Sequence, residues 1–183
     1  MKNYKISLAG DIGSGKSTVG QILSNKYSLE KVSIGLMLRD MAKEYGMDVN
    51  EFNSYMETHT EIDGILDNKL KEFEFKDGRY LFDSRMAWHF VPSSFSVYIK
   101  VSPEIAAERI MKANRSSEIY KSLAEAVESI KSRHNSEVLR YSKLYSVDVT
   151  DLNNYNLVVD TDNKTPEEIA EIISLEFENW LNK

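Results

Sequence analysis

The sequence predicts an α/β protein of the P-loop NTPase type, a three-layer fold with a mostly parallel five-stranded sheet and helices on both faces. Three observations predict it. Runs that read as strands alternate with runs that read as helices along the whole chain, the pattern of a parallel sheet with crossover helices. A glycine-rich phosphate-loop pattern stands between the first strand and the first helix. The 183 residues, 42% of them hydrophobic, suit one compact domain (1–183) able to bury a sizeable core.

Tyr4 to Ala9 reads as the first strand and runs directly into glycines. Lys16 to about Lys26 is expected to be helical, with Val19, Ile22 and Leu23 on its buried side. Lys31 to Ile34 is a short strand, and Leu36 to Tyr45 a helix stopped by Gly46. Asp48 and Thr60, with Glu51 and Asp63 three residues later, read as capping boxes opening helices that end near His59 and Phe75. Lys76-Asp77-Gly78 is a turn, and Arg79 to Asp83 and Phe95 to Val101 are strands. Ser102-Pro103-Glu104 opens a helix with Pro at its first position. A long helix is expected over about Glu118 to Tyr145, then a strand from Tyr155 to Thr161 and a last helix opening at Thr165-Pro166.

Composition narrows the function. The formal charge is −6, from 29 acidic and 23 basic residues, and no basic stripe is visible, which argues against a nucleic-acid partner. With no cysteine, disulfides and thiolate metal sites are excluded. No apolar run approaches the roughly 20 residues a bilayer requires, so no membrane partner is expected and the protein reads as cytoplasmic. His59, His89 and His134 lack metal-ligand spacing, and Trp88 and Trp180 read as packing residues.

Gly10-Asp11-Ile12-Gly13-Ser14-Gly15-Lys16-Ser17 satisfies G-x-x-x-x-G-K-[ST], with three of the chain's eight glycines inside it. Such a loop turns successive backbone N–H groups onto phosphate oxygens at a helix N-terminus. Lys16 then reaches the β- and γ-phosphates, Ser17 joins a Mg²⁺ shell, and Thr18 stands by the α-phosphate. The D-x-x-G and N-K-x-D patterns of a GTPase are absent, and the chain is short for a mechanical ATPase. What remains is a kinase for a small molecule or nucleotide, using ATP and Mg²⁺.

Three further clusters suit an acceptor. Ser33-Ile34-Gly35-Leu36-Met37-Leu38-Arg39 ends the second strand and opens a helix. Leu81-Phe82-Asp83-Ser84-Arg85 closes the third strand, at the sheet edge where ligands bind. There Asp83 can hold a metal-bound water and Arg85 can clamp a phosphate. Arg133, Glu137 and Arg140 fall within roughly 60° of one another on a helix, beside its apolar stripe.

These clusters and their order resemble the cytidylate kinases, especially the short archaeal-type branch. Ser33-x-Gly35-x-x-x-Arg39 is similar to that family's acceptor-binding motif, and Met41 to Asp67 to its acceptor-binding helices. Arg133 to Arg140 has the R-x-x-x-[DE]-x-x-R spacing of its lid-proximal helix. The resemblance implies an acceptor-binding insert at about 36–75, a lid at about 109–133, and a nucleoside monophosphate acceptor, CMP or dCMP. It implies that Arg39 and Arg85 hold the acceptor phosphate and that Ser33 and Asp83 lie near acceptor or metal. Arg133 and Arg140 would bridge the transferring group as catalytic residues beside Lys16, Glu137 would contact sugar or base, and Arg109 would stand near ATP. Asp83-Ser84-Arg85 replaces the usual Asp/Glu-Gly-Arg, His134 stands where an acid is common, and Arg115 follows Arg109 by six residues rather than four. A kinase for AMP, UMP or a small metabolite, or a nucleotide sensor without transfer, remains open, as does whether the protein is a monomer or a dimer.

Overall fold

The computed structural model describes residues 3–113 and 120–182. Chain order is β1 (Tyr4–Gly10), α1 (Lys16–Tyr27), β2 (Glu30–Ser33), α2 (Ile34–Glu44), α3 (Val49–Met56), α4 (Glu61–Phe75), β3 (Arg79–Asp83) and α5 (Ala87–Phe90). Then come β4 (Phe95–Lys100), α6 (Pro103–Lys112), α7 (Leu123–Tyr145), a 3-10 turn at Leu152–Asn154, β5 (Leu157–Asp160) and α8 (Pro166–Leu181). The strands form one sheet in the order β2-β3-β1-β4-β5, and every pairing is parallel. The chain fills one side of β1 with β2 and β3, then crosses to the other with β4 and β5. The carboxyl ends beside β1 therefore splay apart, the crevice where open α/β sheets bind ligands.

Both sheet faces are covered, as a parallel sheet with crossover helices requires. Ile6 and Leu8 of β1 pack with Val97 and Ile99 of β4 against Val19 and Leu23 of α1 and Ile173 and Phe177 of α8. On the opposite face Tyr80 and Phe82 of β3 meet Leu70, Met86, Phe90 and Tyr141. A smaller apolar cluster of Ala42, Phe52, Met56 and Ile62 ties α2, α3 and α4 together.

Most expected boundaries hold within two residues, and caps explain several. At α3, the Glu51 N–H donates to Asp48 Oδ1 at 2.9 Å and the Asp48 N–H to Glu51 Oε2 at 2.8 Å, so that capping box forms. The Thr165–Glu168 box of α8 forms as well. The box expected at Thr60 does not: its side chain makes no cap bond, and Asp63 is buried instead, facing Arg140. α3 stops at Met56, short of His59. α7 starts at Leu123, where Ser122 Oγ accepts from the Glu125 N–H at 3.2 Å. Residues 114–119, which hold Arg115 and the first residues of the expected long helix, lie outside the described residues. Among the described residues no helix is long and apolar enough to cross a membrane.

Candidate active site

The phosphate loop leaves the carboxyl end of β1 and is fixed from two sides. Gly10 has φ 140°, and a Cβ there would lie 2.1 Å from the Ile99 carbonyl oxygen on β4. This glycine is thus demanded by strand packing as well as by phosphates. Asp11 holds the loop to the end of β4, its Oδ1 accepting from the Tyr98 hydroxyl at 2.6 Å and its Oδ2 from the Val101 N–H at 2.9 Å. Burial, then that bond, pushes the Tyr98 phenol well above its ordinary value. Ile12 is buried among Ala106, Ala107 and Ile110 of α6, so the loop tip also rests on a helix. Gly15 takes φ 87° as α1 begins, a left-handed turn that a side chain would strain. Gly10→Ala should therefore cost about 3 kcal/mol or more, since overpacking and a left-handed φ each cost 1–3 kcal/mol. Denaturant unfolding checks this directly.

Lys16 curls back over the loop, its ammonium donating to the carbonyls of Gly10 and Asp11, both at 2.8 Å. Burial lowers its pKa to about 8, assisted by the Arg85 guanidinium and opposed by Asp83, Glu137 and Asp11. One residue on, Ser17 Oγ donates to Asp83 Oδ2 at 2.7 Å, joining the loop to the carboxyl end of β3. Hard oxygen donors placed beside a phosphate loop suit Mg²⁺, which takes one or two protein ligands and fills its shell with phosphate and water. Ser17 and Asp83 fit that group. Among the described residues no cluster of three or more His, Asp or Glu side chains offers an all-protein cation cage.

A cleft of about 500 Å³ opens over the loop. Gly13, Ser14 and Thr18 border it from the loop and the start of α1, and Ser33, Gly35 and Arg39 border it from the start of α2. Ser33 Oγ caps α2 by accepting from the Leu36 N–H at 3.4 Å. A Cβ on Gly35 would lie 3.8 Å from the Arg39 guanidinium, an ordinary contact, so the two residues adjoin on one side of α2. Arg85, Arg133 and Glu137 face the same cleft. Arg85 Nε sits 2.7 Å from Glu137 Oε2, an ion pair linking the end of β3 to α7.

Two expected site residues are engaged elsewhere. Arg109 borders the cleft, but its guanidinium donates to Thr161 Oγ1 at 3.1 Å and Thr161 O at 2.7 Å, bracing the loop after β5. Arg140 does not line the main cleft. It is 6% exposed, its Nε lies 3.5 Å from Asp63 Oδ2, and it borders a side crevice of about 330 Å³ shared with Arg133 and Glu137. His59 and His89 go to packing, His59 stacked on Tyr55 at 3.6 Å between ring centres and His89 against Trp88 and Phe90. Trp180 packs on Phe95 and Phe177, and Trp88 on Tyr155.

Sequence reading missed Asp63 and Asp67. The signal was present: they fall on the same face of α4 as Ile62, Leu66 and Leu70, and a carboxylate on an apolar stripe demands a reason. Asp67 accepts a short hydrogen bond from the Tyr145 hydroxyl.

Comparison with known proteins agrees with this geometry. Residues 6–129 match the family described as an AAA domain. The cytidylate kinase of Methanocaldococcus jannaschii is 34% identical over 179 residues, covering 95% of this chain and 97% of that one. The cytidylate kinase of Sulfolobus acidocaldarius is 34% identical over 171 residues, covering 92% and 91%. An S-adenosylmethionine-dependent nucleotide dehydratase of Lacinutrix mariniflava is 38% identical over 171 residues, and there the chain spans only 35% of the relative's length. Among solved structures, shikimate kinase from Bacteroides thetaiotaomicron superposes with a TM-score of 0.66 at 15% identity over 97% of this chain and 99% of that one, a likeness of fold alone. With similarity to the archaeal enzymes running along nearly the whole of both chains, the protein belongs to the cytidylate kinase family and is a nucleoside monophosphate kinase.

Proposed function

We propose that the protein transfers the γ-phosphoryl group of ATP to the phosphate of CMP or dCMP in the presence of Mg²⁺. The observation that carries this reading is that one cleft is lined by Lys16 and the hydrogen-bonded Ser17–Asp83 pair and also by Arg39, Arg85 and Arg133. Phosphoryl transfer needs little covalent help from a protein. It needs two phosphates placed in line and cations around the charge that spreads between them. Lys16, whose Gly10 and Asp11 carbonyl partners are available for exchange, would turn to the β- and γ-oxygens, and Thr18 would meet the α-phosphate. Ser17 and Asp83 would hold Mg²⁺, which when bound would supply charge neutralisation at the phosphates. Arg39 and Arg85 would hold the acceptor phosphate. Because Glu137 occupies the Arg85 Nε, the two terminal nitrogens of that fork remain for a bidentate phosphate contact. Ser33 and Gly35 would border the acceptor at the start of α2, and Arg109 with Thr161 would form the wall on the adenosine side. The choice of a cytidylate over other monophosphates is supported by the relatives' activity.

A coupled assay with ATP, Mg²⁺ and a panel of CMP, dCMP, UMP, AMP and shikimate tests the reading. Turnover with cytidylates is expected. Turnover confined to AMP or shikimate would refute the acceptor assignment.

A pH dependence follows from Lys16. ATP favours the ammonium form, and the folded, nucleotide-free chain loses that proton near pH 8. ATP affinity should therefore hold up to about pH 8 and weaken between pH 8 and 9.5. Equilibrium titrations across that range check it, and Lys16→Ala should flatten the profile.

A further inference from the structure

Behind the main cleft lies a cavity of about 80 Å³ that shares Lys16, Gly35, Leu38, Asp83 and Arg85 with it. Its walls are apolar, from Ile34 and Leu38 of α2, Leu66 and Leu70 of α4, and Met86 after β3. Besides Asp83, two carboxylates interrupt them. Asp63 and Asp67 stand one turn apart on the buried face of α4, 5% and 7% exposed, and both line the cavity. Asp63 stands in the first turn of α4 but is buried, and the N-cap at Thr60 makes no side-chain bond. Asp63 Oδ2 is buried and makes no hydrogen bond, although Arg140 Nε stands 3.5 Å away. Asp67 uses one oxygen to accept from Tyr145 and has a second to offer. Leaving an acceptor buried without a donor is costly, so Asp63 Oδ2 awaits a group that donates.

Resting on the proposed function, we infer that Asp63 and Asp67 are specificity-determining residues that read the exocyclic amine of the acceptor base. The cavity adjoins Arg85 and Asp83, so a monophosphate held by Arg39 and Arg85 directs its base toward it. The apolar walls suit the faces of an aromatic ring, and the carboxylates suit an edge that carries N–H donors. Cytosine presents an amine on that edge. Uracil presents a carbonyl oxygen in the same place, which an ionised carboxylate repels. Burial and the neighbouring Asp67 raise Asp63 to about 6 against the opposing pull of Arg140, so above neutrality it remains an anion and accepts. A site built to bond a donor rejects the analogue that lacks it, because its buried acceptors are then left without partners.

The test compares kcat/KM for CMP and UMP at pH 7.5 in wild type, Asp63→Asn and Asp67→Asn, with melting curves for each. An asparagine amide can donate to the uracil oxygen, so each substitution should shift the CMP:UMP ratio toward UMP by about tenfold or more, mainly through KM. A second arm needs no substitution: wild type should bind the CMP analogue lacking the 4-amino group about tenfold more weakly than CMP. The inference is overturned if both variants keep the wild-type ratio, or if wild type binds the analogue lacking the 4-amino group as tightly as CMP. Should a variant fail to fold, the analogue arm and the other variant still decide. A wild-type protein that phosphorylates neither pyrimidine would instead refute the parent reading, a different result from one that prefers CMP and keeps its preference in both variants.

Discussion

Lys16→Ala is expected to abolish phosphoryl transfer while leaving the fold intact. Its ammonium is the cation aimed into the phosphate loop, held over the loop by the Gly10 and Asp11 carbonyls at 2.8 Å. Cations that meet the transferring group in other phosphoryl-transfer enzymes are worth about 10³-fold or more, and a loss of at least that size is expected in kcat. Stability should follow the opposite logic. The folded-state pKa is about 8 against the ordinary 10.5, so the folded chain binds this proton less tightly than the unfolded one. At neutral pH the buried charge therefore opposes folding, and its removal should leave the melting temperature unchanged or raised. Circular dichroism melting and a coupled assay check both halves. A variant that turns over near the normal rate would remove the loop from the mechanism.

The second large effect is expected on α7. Arg133→Ala should lower kcat about 10²-fold or more with little change in acceptor KM, because in the proposed role its contribution would be made where charge spreads in the transition state. Glu137→Ala should act mainly on acceptor KM. A carboxylate cannot stabilise developing negative charge, but this one fixes Arg85 at 2.7 Å, and without it the fork loses its orientation. Arg140→Ala should do two things at once. It strips Asp63 of its cation and leaves a buried charge, which should cost about 3 kcal/mol of stability. It should also reduce kcat about 10²-fold if the guanidinium reaches the cleft when substrates are bound. Steady-state kinetics paired with denaturant unfolding separate these outcomes. Both arginine variants within a few-fold of wild-type turnover would reduce that face of α7 to a structural salt-bridge ladder.

What could be read from the sequence depended on how local each signal was. The parallel sheet was legible because alternation and glycine placement are short-range features, and the phosphate loop because its residues are contiguous. The carboxyl-end location of Asp83 and Arg85 followed from where the third strand stops. Asp63 was misread because a local partner, Thr60, satisfied the capping pattern, whereas the contact that forms is with Arg140 on another helix. Gly10 was credited to phosphates alone, since nothing in the sequence says that β4 passes within 2.1 Å of where its Cβ would be. The engagement of Arg109 with Thr161 was equally out of reach, because it joins α6 to the end of a strand formed later in the chain. α5 is too short to carry a periodicity, and it was passed over.

The most direct test of the central claim is a ³¹P NMR time course of the protein with ATP, CMP and Mg²⁺. The predicted result is loss of the ATP γ-phosphorus resonance matched by growth of the β-phosphorus resonance of CDP, with no transfer once EDTA is added. Appearance of inorganic phosphate alone, or an unchanged spectrum at stoichiometric enzyme, would contradict phosphoryl transfer to a cytidylate.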